Sequence, residues 1–134
     1  MTTSVSKLLV VDDIKDWQTT ISGILQDNGY DVSVAGSLDD AILLLNADEY
    51  TLALLDLRLD ETDEDNVDGL NLAKIIRDRW PRVKIVIVTG YGTPEILRKA
   101  IEPGTDGRRL VNDYLPKENT DQLVVTVQRL LEIE

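Results

Sequence analysis

The chain contains no cysteine and no histidine. The first absence excludes disulfides and thiolate metal sites and suits a reducing compartment, the cytoplasm. The second removes His-dependent triads, most zinc sites and any role as a phosphohistidine carrier. No apolar run approaches the ~20 residues of a membrane-spanning helix, and the start lacks the pattern of a signal peptide, so no membrane partner is expected. Basic residues are scarce, 14 against 25 acidic ones, which leaves a net charge of −11. With no basic patch of note, direct nucleic-acid binding is not expected, whereas a basic partner surface or a metal cation fits. There is no Ser/Gly-rich linker, internal repeat or low-complexity tail. A length of 134 residues holds one domain with a real core and is too short for two ordinary ones. The expectation is a single domain over residues 1–134 with no output domain, and Met1 with its short polar lead fits a natural start.

What is present is a set of apolar runs that end in chemically active residues. Leu52-Ala53-Leu54-Leu55 ends in Asp56, Leu8-Leu9-Val10-Val11 in Asp12-Asp13, Ile85-Val86-Ile87-Val88 in Thr89-Gly90, and Asp113-Tyr114-Leu115 in Pro116-Lys117. A charge at the end of a buried strand is costly unless something compensates it. Between the runs lie helix patterns. Ile14, Trp17, Ile21, Ile24 and Leu25 share one face of a helix that Asn28-Gly29 stops. Ser37 caps a helix to about Ala47, with Asp40 as an imperfect capping box. Gly69 to Arg79 is helical and ends at Pro81. A further helix starts near Pro94 and breaks at Pro103-Gly104. The last runs from Asp121 to about Glu132, capped by Thr120 or Asp121. Asp31 to Ala35 alternates, as an outer strand does.

Strand–helix alternation repeated five times predicts an α/β fold, a doubly wound (βα)5 parallel sheet with helices on both faces. Right-handed crossovers make 2-1-3-4-5 the expected strand order, with its switch point between the first and third strands. Those strands deliver Asp12, Asp13 and Asp56. Three converging carboxylates repel one another, and Mg2+, with Mn2+ as a substitute, resolves this because it takes oxygen ligands and phosphate oxygens. Lys117 adds a cation, Thr89 a hydroxyl and Gly90 an amide. Together they form a cradle for a phosphoryl group, with Asp56 as the carboxylate nucleophile. Trp17 and Trp80 are read as packing residues. Each site residue alone has a plainer explanation: Asp12 and Asp13 as helix caps, Asp56 as a satisfied strand-end acid, Thr89-Gly90 as a turn, Lys117 as a surface lysine, Tyr114 as packing. It is their joint placement that favours the site.

Val10-Val11-Asp12-Asp13, Leu54-Leu55-Asp56, Asp68-Gly69-Leu70, Val88-Thr89-Gly90 and Asp113-Tyr114-Leu115-Pro116-Lys117 occur in this order. In this respect the chain resembles the receiver domains of bacterial two-component response regulators, which have the CheY-like, flavodoxin-like fold. The resemblance covers essentially the whole chain. It implies that Asp56 accepts phosphate from a sensor histidine kinase or a histidine phosphotransfer protein and then switches binding to a downstream protein. It implies that Asp13 and Asp56 ligate Mg2+, that Asp12 assists, and that the Arg58 carbonyl completes the set. Thr89 and Lys117 would contact the phosphoryl oxygens, and Thr89 and Tyr114 would form the switch. Such a chain is a phosphoacceptor and not an enzyme beyond its own phosphorylation and dephosphorylation.

The sequence also departs from that family. The segment Leu57–Asp68 is long, very acidic and lacks the usual proline; it is expected to form a mobile flap. Pro103 to Arg109 lengthens the connection into the last strand. Glu118 replaces the usual proline after Lys117, which leaves the geometry of the Lys117–Glu118 bond open: a trans bond with a changed loop is one alternative, and a constraint from Pro116 on the bond before it is another. Arg58 and Tyr91 are bulky at positions flanking the path of a hydrolytic water, which predicts a slowly decaying acyl phosphate. Rival readings remain. A degenerate receiver would bind partners without phosphorylation. A haloacid dehalogenase-type phosphohydrolase would need an acid where Arg58 stands, and a flavin or nucleotide module would need a Gly/Ser/Thr-rich loop where Asp12-Asp13 stands.

Overall fold

The computed structural model describes residues 6–59, 66–90, 98, 102 and 109–132. Five strands, β1 (Lys7–Val11), β2 (Asp31–Ala35), β3 (Leu52–Leu55), β4 (Lys84–Thr89) and β5 (Asp113–Pro116), form one parallel sheet in the order β2-β1-β3-β4-β5. This is the expected doubly wound order. Among the described residues the helices are α1 (Lys15–Asp27), α2 (Leu38–Ala47), α3 (Asp68–Arg79) and α4 (Leu123–Glu132). The helix expected from Pro94 and the extended stretch from Pro103 fall almost wholly outside the described residues.

Strand composition explains the layering. Every residue of β3 is buried, as are the last four of β1 and the last five of β4, because helices cover both faces of these central strands. Among the described residues β2 pairs only with β1, at the edge of the sheet, and Val34 near its end is 38% exposed. Two apolar clusters fill the layers. One packs Leu9, Val11, Leu55, Ile85 and Ile87 under Ala41, Leu45, Leu72 and Ile76 of α2 and α3. The other packs Leu8, Val10, Leu54, Val86 and Val88 under Ile21, Leu25, Leu123 and Val127 of α1 and α4.

Helix ends follow local chemistry. The Ser37 hydroxyl accepts a 3.1 Å bond from the Asp40 amide, as the capping pattern predicts. Helix α1 closes with Gly29 at φ +90°, a left-handed turn that favours glycine. There the Gly29 amide donates to the Gln26 carbonyl and the Tyr30 amide to the Leu25 carbonyl, a Schellman motif. The last helix differs from expectation. A 3-10 turn (Thr120–Gln122) precedes α4, and Asn119 before it makes no side-chain cap bond. The tighter turn satisfies the early amides itself, with Gln122 donating to the Asn119 carbonyl.

Candidate functional site

The carboxyl ends of the strands carry the site, and backbone ladders hold it there. Beyond β1 the Asp12 amide donates to the Ala35 carbonyl; beyond β3 the Asp56 amide donates to the Val11 carbonyl; beyond β5 the Lys117 amide donates to the Thr89 carbonyl. Each functional residue thus sits one step past a strand, with its backbone still in the sheet. The registers Val11↔Leu55 and Thr89↔Pro116 bring Asp12 beside Asp56 and Lys117 beside Thr89.

Asp12, Asp13 and Asp56 meet: each offers a carboxylate oxygen within 4.8 Å of the others. Asp12 and Asp56 are each only 1% exposed, and Asp13 is partly buried. Lys117, 5% exposed, donates from Nζ to Asp56 Oδ2 at 2.9 Å. The same Nζ lies 2.9 Å from Asp12 Oδ2, an ion pair out of line for a hydrogen bond. Asp12 Oδ1 accepts from the Ile14 amide at 2.9 Å, so Asp12 does hold the start of α1 as the plain reading expects, while its other oxygen faces the site. Asp56 Oδ1 is buried with no hydrogen-bond partner among the described residues. An orphaned carboxylate oxygen beside two further acids fits a hard cation that takes oxygen ligands, and the cluster fits Mg2+.

Burial pushes the Asp12 carboxyl up to about 6, helped by the Asp56 charge and opposed by the Ile14 amide and Lys117. Burial works against the charged form of Lys117 as well. Its hydrogen bond to Asp56 and its ion pair with Asp12 outweigh that and raise its pKa above the ordinary lysine value.

Of the other expected residues, Thr89 ends β4 and is buried, and Gly90 follows it exposed, with open space where a side chain would be. Tyr114 pairs with Ile87, on the same face of the sheet as Thr89, and packs against the α2/α3 cluster. Arg58 is partly buried two residues past Asp56. The Lys117–Glu118 bond is trans, since the described residues contain no cis peptide, and Lys117 and Glu118 form the centre of a turn closed by the Asn119 amide on the Pro116 carbonyl. Tyr91 and residues 60–65 of the acidic segment lie outside the described residues.

Three contributors escaped the sequence reading. Gly69, read only as a helix start and as part of a motif, packs against backbone: a Cβ there would lie 1.8 Å from the Asp56 carbonyl oxygen. Asn66 closes the base of the acidic segment, its Oδ1 accepting from the Leu59 and Asp68 amides at 3.0 Å each. Trp17, read as core, has the Lys117 Nζ 5.2 Å from its ring centroid. Its position one helical turn after Asp13 was the available signal. A cleft of about 630 Å³ between the end of α2 and the α3–β4 turn lies at the other end of the sheet, away from these carboxylates.

The comparisons with known proteins agree with this geometry. The response regulator receiver domain family matches residues 8–128. The nitrogen assimilation regulatory protein NtrX of Azorhizobium caulinodans is 35% identical over 126 residues, 93% of this chain and 26% of that protein. An NtrX-like response regulator of Rickettsia bellii is 31% identical over 97% of this chain and 26% of its own length. The chain therefore spans about a quarter of the length of the curated relatives it matches. Among solved structures, the receiver domain of NtrX from Brucella abortus superposes with a TM-score of 0.81 at 31% identity, covering 95% of this chain and 99% of that one. A CheY-like response regulator receiver domain protein from Methanospirillum hungatei gives 0.80 at 25% identity, covering 96% and 95%. With the family matched over nearly the whole chain and the acid cluster at its strand ends, this chain belongs to the response regulator receiver domains of two-component signalling.

Proposed function

We propose that residues 1–134 act as a single receiver domain whose Asp56 accepts a phosphoryl group from a phosphohistidine, and that the change alters which protein the domain binds. The observation that carries this is the cluster of Asp12, Asp13 and Asp56 with the Lys117 ammonium bonded to Asp56. In the proposed step a carboxylate oxygen of Asp56 attacks phosphorus. A P–O bond forms, the P–N bond to the donor imidazole breaks, and the imidazole leaves. Mg2+, or Mn2+ in its place, neutralises charge on the phosphoryl oxygens when bound. Asp12, Asp13, Asp56 and the Arg58 carbonyl are the proposed ligands. Thr89, the Gly90 amide and Lys117 are the proposed phosphoryl contacts, and Thr89 with Tyr114 the proposed switch.

The proposed donor is a sensor histidine kinase or a histidine phosphotransfer protein, and the proposed reader is a downstream protein. The chemistry is that of a signalling domain acting on itself. Action as a stand-alone chain finds no support in relatives whose matched segment is only a quarter of the protein, and the activities of those whole proteins are not carried over.

Intact mass after incubation with Mg2+ and acetyl phosphate tests the reading. A labile gain of one phosphoryl that needs Mg2+ and is absent in Asp56→Asn is the expected result. No gain, with phosphohistidine donors tried as well, would leave a receiver that binds partners without phosphorylation.

A further inference from the structure

The Lys117 ammonium has a third neighbour besides its two carboxylates. It is almost fully buried at the tip of a long side chain, on a turn anchored by the Lys117 amide on the Thr89 carbonyl and the Asn119 amide on the Pro116 carbonyl. Beside it stands the Trp17 ring, 5.2 Å from Nζ to its centroid, within the range of a cation–π contact. Trp17 is itself fixed, since it belongs to α1 and packs against the core cluster under α1 and α4. The start of α1 is tied to the same site through the Ile14 amide on Asp12 Oδ1 and the Gln18 side chain on the Asp12 carbonyl.

These contacts differ in what a cation at the acid cluster does to them. Lys117 is held by Asp12 and Asp56, the carboxylates that would bind the metal. A divalent cation there repels the ammonium and competes for its partners. The indole face is neutral, competes for nothing at the cluster and keeps its attraction for the cation. We propose that Trp17 is a positioning residue: its ring holds the Lys117 ammonium at the mouth of the site when metal occupies the acids, so that the charge is already aimed at an incoming phosphoryl group. This inference rests on the reading of Asp56 as the phosphoacceptor.

The test compares wild type, Trp17→Leu and Trp17→Phe in full-length chain. The rate of phosphoryl gain from acetyl phosphate is read by intact mass at saturating Mg2+, and Mg2+ affinity by calorimetry. Trp17→Leu keeps an apolar side chain and loses the π face, and should slow phosphorylation about fivefold. Trp17→Phe should recover most of that rate, and Mg2+ affinity should stay within about twofold in all three, because an indole offers no oxygen ligand to the cation. Wild-type rate in Trp17→Leu, a Phe variant no faster than Leu, or affinity that falls in step with rate would overturn the proposal. A wild type that gains no more mass than Asp56→Asn sinks the underlying reading instead. The contact is then judged without phosphorylation. The chain has two tryptophans, so Trp80→Phe leaves Trp17 as the only reporter. Adding Lys117→Met must change its emission, and unchanged emission refutes the contact. The same pair of proteins decides the matter if Trp17→Leu does not fold.

Discussion

Replacing Gly69 with alanine sets two well-known effects against each other. Gly69 lies in the first turn of α3, and helix propensity alone predicts that alanine stabilises by up to ~1 kcal/mol. Packing predicts the reverse. The added Cβ would stand 1.8 Å from the Asp56 carbonyl oxygen, 2.7 Å from its carbon and 2.8 Å from Leu57 Cα. All three are backbone atoms of the segment that leaves β3, so no side chain can swing aside. Relief requires α3 to retreat by about 1.5 Å before ordinary contact distance is reached. That retreat breaks the 2.9 Å bond from the Gly69 amide to the Leu57 carbonyl. Overpacking at ~1–3 kcal/mol and a lost part-buried bond at ~1–3 kcal/mol together exceed the propensity gain, giving a net loss of about 1–5 kcal/mol. For a chain of this size the melting temperature should fall by about 4–20 °C. The matched control is Gly23→Ala within α1, where an added Cβ meets nothing within 4 Å and propensity acts alone. It should stabilise by about 0.5–1 kcal/mol. Urea unfolding followed by far-ultraviolet circular dichroism measures both. A Gly69→Ala protein as stable as wild type would refute the close approach of α3 to Asp56.

Two further outcomes follow from the same geometry. Asp12 has its pKa raised from 3.8 to about 6 by burial, so its charged form is the disfavoured one in the folded protein. The stability tied to its neutral form is fully present below pH ~4 and is lost as pH rises through about 6, a loss of about 3 kcal/mol in metal-free protein. Asp12→Asn should therefore gain on wild type by about that amount between pH 4 and 7 in chelator; a difference that stays flat across that range counts against the buried charge. Arg77 donates to the Pro81, Val83 and Leu110 carbonyls and to Asn112 Oδ1, which also accepts from the Ile85 amide. Arg77→Leu should cost about 3 kcal/mol, whereas Arg129→Ala, which removes an ion pair to Asp113 at a half-exposed arginine, should cost under ~1 kcal/mol; denaturant midpoints that shift equally would show that Arg77 does not lock the entrance to β5.

The parts of the fold legible in the sequence were those with strong periodicity. Unbroken apolar runs in β1, β3 and β4 are readable because burial on both faces leaves no alternation to confuse them. The Ser37 cap and the Gly29 stop are readable because each depends on a few adjacent residues. The four acids and bases at the strand ends are readable for a related reason: a charge that closes an apolar run has few uses. What stayed hidden depends on contacts between segments distant in the chain. Nothing local to Gly69 says that its missing side chain makes room for the Asp56 backbone. Nothing in a polar loop says that Asn66 folds its carbonyl back onto two amides. Trp17 was assigned to the core because its helical spacing matches Ile21 and Ile24, and it does pack there; only the fold shows that the ring also meets Lys117.

The same arrangement explains why the site is both rigid and poised. Asp12, Asp56 and Lys117 each continue a ladder by one backbone hydrogen bond beyond the last paired residues, so their Cα positions are as fixed as those of the strands. Their side chains lie past the apolar layers and converge. The sheet that fixes them also buries them, and burial is what raises the Asp12 pKa and leaves Asp56 Oδ1 without a partner among the described residues. Lys117 offsets only part of that penalty, since one ammonium serves two carboxylates with Asp13 close by. The metal-free protein thus holds an excess of negative charge in a preorganised place. In the proposed function that excess is the driving force for taking up a cation and, through it, a phosphoryl group.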